Sequence, residues 1–145
     1  MTRALTPKPW ADRIGRVLLG VDTLATLGAF VQGIMITFDV SDERMLTEAW
    51  RTLAYLVFAG LWLMVTIAPR RAPGIWELIF VHKIGITLFA LAYLDKPDAP
   101  ATAAIDGFVV ATTALAYVLC RGWLSWRSDA APAAAAASTA GLGSR

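Results

Sequence analysis

One cysteine and one histidine stand in 145 residues, and charged residues make up only 17% of the chain. A lone thiol, Cys120, excludes an internal disulfide framework and any metal site built on several cysteines. A lone imidazole, His82, cannot supply both axial ligands of a bis-histidine haem within one chain. The sequence also lacks a glycine-rich phosphate loop, a nucleophile elbow and an HExxH zinc motif. No cofactor is expected, and metal binding by Asp22, Glu77 and His82 would match no strong ligand spacing. An ordinary soluble domain is about 25% charged and about 45–50% apolar. Here the hydrophobic share is 57% and the mean hydropathy +0.58, so a disordered chain or a nucleic-acid module is a poor fit. The net charge of +2 adds no case for nucleic acid, and no nucleic-acid partner is expected.

What is present is long apolar runs. A helix needs about 20 apolar residues to cross a bilayer. Four stretches meet that length, at about 17–38, 50–68, 75–94 and 103–120, the last extendable to Trp126. None alternates with the period of a membrane strand. The first carries Asp22 and lacks a clear small-residue cleavage site, so it is expected to be retained rather than removed as a signal peptide. The connections are expected at 39–49 (DVSDERMLTEA), 69–74 (PRRAPG) and 95–102 (DKPDAPAT). Short connections make successive helices antiparallel neighbours. The expected fold is an all-α membrane protein, a four-transmembrane-helix up-down-up-down bundle over residues 1–128. A disordered cytoplasmic tail, rich in Ala, Ser, Gly and Pro, is expected over 129–145.

Lysine and arginine counts set the orientation. Arg3, Lys8, Arg13, Arg16, Arg70, Arg71, Arg121, Arg127 and Arg145 fall on one side. Arg44, Arg51 and Lys96 fall on the other, with Asp39, Asp42, Glu43, Glu48, Asp95 and Asp98. This bias predicts a multi-pass protein of the inner (plasma) membrane with both termini in the cytoplasm. Trp10, Trp50, Trp76, Trp123 and Trp126 all fall near predicted interfaces, where an amphipathic ring is favoured.

Ionisable residues at membrane depth are costly, roughly 2.5–3.5 kcal/mol each on insertion scales, and by default mark function. Asp22 lies six residues past Arg16, about 9 Å along a helix. It shares a stripe with Thr26, Ala29 and Gly33, so it is expected to face another helix. Glu77 lies equally far past Arg71, and His82 and Lys83 follow near the middle of the third span. Helical side chains lean toward the helix N-terminus, which brings Lys83 toward the level of Glu77 and Asp22. The catalytic candidates are therefore Asp22, Glu77, His82 and Lys83, groups of differing proton affinity at one depth. The alternative stays open that Lys83 makes a structural ion pair with Asp22 or Glu77.

A second group lies at the opposite end: Arg51 at the start of the second span, Asp106 in the fourth, with Tyr55, Trp62, Phe89, Tyr93 and Tyr117 on their stripes or on the His82 face. These are candidate substrate-binding residues, the walls and charged mouth of a cavity. An Arg51–Asp106 pair that merely ties two helix ends is the structural alternative.

Three functions fit. The first is a membrane-embedded enzyme acting on a lipophilic small molecule by acid–base chemistry, of isomerase, cyclase or epoxide-opening type. The second is an accessory or anchoring subunit of a larger membrane complex. The third is a proton-coupled small-molecule transporter, to which the lack of an internal repeat is unfavourable. The partners expected are the lipid bilayer, a lipophilic small molecule, and either further copies of the chain or another membrane subunit.

Overall fold

The computed structural model describes residues 7–127, and the tail expected at 129–145 lies outside them. Among the described residues the chain is all helical. Helix α1 spans Pro9–Asp39, α2 Asp42–Ile67, α3 Ile75–Ala92 and α4 Ala99–Cys120, followed by a 3-10 segment at Gly122–Arg127. All four α-helices are long and apolar enough to cross a membrane, as in a multi-pass membrane protein.

The breaks have local causes. Pro69, Pro73 and Gly74 interrupt the chain between α2 and α3, and Gly74 takes a left-handed φ of 84° that suits a residue with no Cβ. Asp98 and Arg121, also left-handed, bracket α4 at either end. The turn at Arg121 stops α4 at Cys120, so the fourth span does not run on to Trp126. The expected first loop shrinks to Val40 and Ser41. Residues 42–49 instead form two polar turns of α2, begun by Asp42 and Glu43 in its first turn, where acids suit the helix dipole. Hydropathy reports apolar length, and a helix extends beyond it wherever the propensities allow.

Helix α1 packs against α2 and α4, α3 packs against α4, and α2 and α3 meet sparingly. Glycines set the closest approaches. A Cβ at Gly33 would fall 2.5 Å from Thr52 Oγ1, and one at Gly15 would fall 2.5 Å from Cys120 Sγ. The contiguous core is Leu19, Trp62, Val65, Ala72, Trp76, Ile79 and Ala116. Trp76 is thus completely buried rather than part of an interfacial belt, and its indole N–H donates to the Pro69 carbonyl at 2.9 Å. Trp10, Trp50, Trp123 and Trp126 are exposed.

At the same end of the bundle, Asp12 on α1 accepts from Arg16 and from Arg70 in the α2–α3 connection. Arg16 also donates to the Thr66 and Ile67 carbonyls at 2.7 Å, and Arg70 to the Cys120 carbonyl at 2.9 Å. Two guanidinium groups thereby satisfy the C-terminal carbonyls of α2 and α4, which have no partners within their own helices.

Candidate functional site

Four helices contribute to one polar layer. On α1, Asp22 is buried, with 3% of its surface exposed. The Thr112 hydroxyl of α4 lies 3.1 Å from both carboxylate oxygens, and that of Thr113 lies 3.4 Å from one. The indole N–H of Trp62, on α2, donates to Thr113 Oγ1 at 3.1 Å. Indole nitrogen only donates, so the Thr113 oxygen must accept, and its own proton is left for Asp22. The direction of this chain is therefore fixed by chemistry.

On the other side of Trp62, the α3 residue Lys83 donates to Asp106 of α4 across 2.6 Å. Its ammonium also lies 5.0 Å from the centre of the Phe58 ring and 5.6 Å from Trp62, so one carboxylate and two aromatic faces surround it. The His82 ring packs on Phe58 as well, with centroids 4.3 Å apart. The ion pair is not sealed: the Lys83 and Asp106 side chains keep 10% and 15% of their surface exposed. With all three ionised, Asp22, Lys83 and Asp106 would sum to one negative charge, because the lysine can neutralise only one of the two acids.

The structure gives Lys83 a partner other than the two expected. The expectation of Asp22 or Glu77 assumes that the side chain leans toward the start of α3, but its stem reaches α4 instead. Helices α3 and α4 are in van der Waals contact beside Gly107, where a Cβ would sit 3.6 Å from Thr87. Asp106, the neighbour of that glycine, is thereby brought within reach.

Glu77 stands apart from this layer. It is exposed and accepts from the Trp126 indole at 2.8 Å. Arg51 does not meet Asp106; it pairs with Glu48, one turn earlier on its own helix, at 2.5 Å. A carboxylate three residues away on the same face is the nearer partner. The aromatic candidates also divide. Trp62 belongs to the polar layer, and half-buried Tyr55 lies one turn from Phe58 on α2. Phe89 and Tyr93 stack with centroids 4.8 Å apart, beside a groove of about 420 Å³ at the α3–α4 turn that Lys96 and Thr102 also line. Tyr117 sits in the core half, edge-on to Trp76, Phe80 and Trp123. These side chains thus occupy separate places in the bundle.

Three contributors lie outside the expected site residues: Phe58, Thr112 and Thr113. Phe58 lies between Tyr55 and Trp62 on a helical stripe, and Thr113 lies seven residues, two turns, from Asp106. Their spacing carries a signal. Thr112 shares no such register with Asp106 and becomes visible only through the packing of α4 on α1. Among the described residues, no group of three His, Cys, Asp or Glu side chains could hold a metal ion.

No protein-family model, curated protein or solved structure matches this chain.

Proposed function

We propose that the chain is a membrane-embedded enzyme that moves a proton within a lipophilic small molecule, an isomerase, cyclase or epoxide-opening activity. The observation that carries this reading is the Lys83–Asp106 pair at 2.6 Å, incompletely covered and walled by Phe58 and Trp62. Where α2 and α3 meet sparingly, an apolar molecule can approach from the hydrocarbon. Asp106 takes a proton from the substrate and returns it at another atom, so no oxidant is needed. Lys83 holds the negative charge that develops meanwhile, and His82 is a second proton-transfer group at the rim. Glu77, bonded to Trp126, has no part in this scheme.

The orientation proposed is up-down-up-down in the inner membrane with both termini cytoplasmic. The excess of Lys and Arg at the Asp12 end supports it, as does the meeting of Asp12, Arg70 and the end of α4 there.

The test works without an identified substrate. Membranes holding the protein are incubated with a total lipid extract in deuterated water, and lipophilic species are screened by mass spectrometry for deuterium uptake. Wild type should label at least one species, and Asp106→Asn and Lys83→Met should each slow labelling by about 100-fold or more. Equal labelling by wild type and both variants, or none above empty membranes, would overturn the assignment.

A second reading, a subunit of a larger membrane complex, draws on Gln32 and His82. Both are exposed on helices long enough to cross a bilayer, where a polar group seeks a partner. Stable co-purification of another membrane protein, lost in Gln32→Leu, would favour it.

A further inference from the structure

The two acids of the polar layer differ in one respect. Asp106 has its lysine, whereas Asp22 has no cationic partner within ion-pair distance among the described residues. A buried carboxylate of this kind is expensive unless a cation or enough hydrogen bonds satisfy it. Two hydroxyls reach it, and they carry two protons against about four acceptor positions. The Thr112 proton is also contested, since its oxygen lies 3.2 Å from the Phe108 carbonyl and 3.0 Å from that of Val109. Lys83 does not fill the deficit, because its ammonium bonds Asp106 and makes no ion pair or hydrogen bond to Asp22.

Asp22 also lines a groove between α1 and α4 of about 330 Å³. That volume is at the lower end of small-molecule sites, which run about 300–1,000 Å³. Its walls are Val21, Ala25, Ala104, Ile105 and Phe108, all exposed on the outer surface of the bundle. The groove is therefore apolar along its sides, with one carboxylate at its base. Phe108, 66% exposed, is an aromatic residue lining the same groove as that acid. A carboxylate and an aromatic face complement the same charge, and both attract cations. Neither favours an anion, and a neutral hydrocarbon would leave the carboxylate uncompensated.

We infer that the α1–α4 groove is a binding site for a lipophilic monocation, an amine or quaternary ammonium head on an apolar body, with Asp22 as counter-ion and Phe108 as aromatic wall. The site is separate from the chemistry at Lys83 and Asp106 and stands whether or not that chemistry occurs. The head group lies against Asp22, and the apolar body lies between Val21 and Ile105. The occupant reaches the groove from the bilayer side.

Binding of benzyltriethylammonium to the purified full chain in detergent tests this directly, with the neutral carbon isostere of the same shape as the control. Wild type should bind the cation saturably at one site and the isostere not at all. Asp22→Asn should weaken binding by about tenfold or more. Ala104→Trp fills the groove from an exposed position and keeps the carboxylate, and it should abolish binding even if the Asp22 variant proves unstable. Phe108→Leu should weaken binding by a few-fold. Three results would each overturn the assignment: no saturable binding by wild type, equal binding of cation and isostere, or unchanged binding in Ala104→Trp.

Discussion

The two ends of this bundle are built differently. The large fully enclosed side chains, Trp62, Trp76, Leu19, Ile79 and Val65, lie in the Asp12 half, beside small buried residues such as Gly15, Ala72 and Cys120. Guanidinium groups there cross between elements, joining α1 to the last carbonyls of α2 and α4. At the Asp39 end the buried residues apart from Glu48 are small or hydroxylic, among them Gly33, Thr37, Thr52, Ala90 and Ala99. The polar and aromatic contacts described at that end stay within one helix pair or one element. Thr37 lies 3.3 Å from Thr52, Arg44 and Arg51 flank Glu48, and Phe89 stacks on Tyr93. Large aromatic residues hold four elements at a distance and fill the space between them. Small residues let two backbones approach and leave nothing to reach a third. The polar layer of Asp22, Lys83 and Asp106 lies where one regime gives way to the other.

The sharpest way to break this comparison is to empty the aromatic end. Trp62→Ala removes a fully buried indole and its hydrogen bond to Thr113, and it should cost about 3–5 kcal/mol in unfolding experiments in detergent. Tyr93→Ala, at the other end and 46% exposed, should cost much less. Equal losses would mean that both ends are held alike. A smaller effect is expected from Gly33→Val, because the new side chain collides with Thr52. Overpacking of this kind costs about 1–3 kcal/mol, and Thr52→Ala in the same chain should recover part of it. The smallest effect is Glu77→Gln, which keeps an acceptor for the Trp126 indole and should shift stability by less than about 0.5 kcal/mol. A large loss of stability there would show that the exposed acid has a structural partner beyond Trp126.

The four helices are legible because apolar length is written directly into the sequence. Their ends are less so. Residues 42–49 read as a loop because they are polar, yet they have the composition of a helix lying outside the apolar run. Trp76 departs from expectation for a related reason. Its position near a span end suits an interfacial ring, but the break at Pro69–Gly74 leaves a carbonyl for its N–H and turns the indole inward. The ionisable residues at depth are visible one by one, whereas their pairing is not. A lysine stem can reach along its helix in either direction, and the choice of Asp106 over Asp22 or Glu77 follows from which helices pack closely. Spacing within a single span contains no information about that, so Glu77 and Arg51 fall outside the clusters that spacing suggests for them.

The sparing contact between α2 and α3 has a consequence for kinetics. A guest of the proposed site that entered through that seam would diffuse in two dimensions, and its supply would be set by how strongly it partitions into lipid rather than by its aqueous concentration. Half-saturation would then scale with the amount of bilayer added at constant total ligand. Apparent affinities for such a protein acquire meaning only when expressed per mole of lipid.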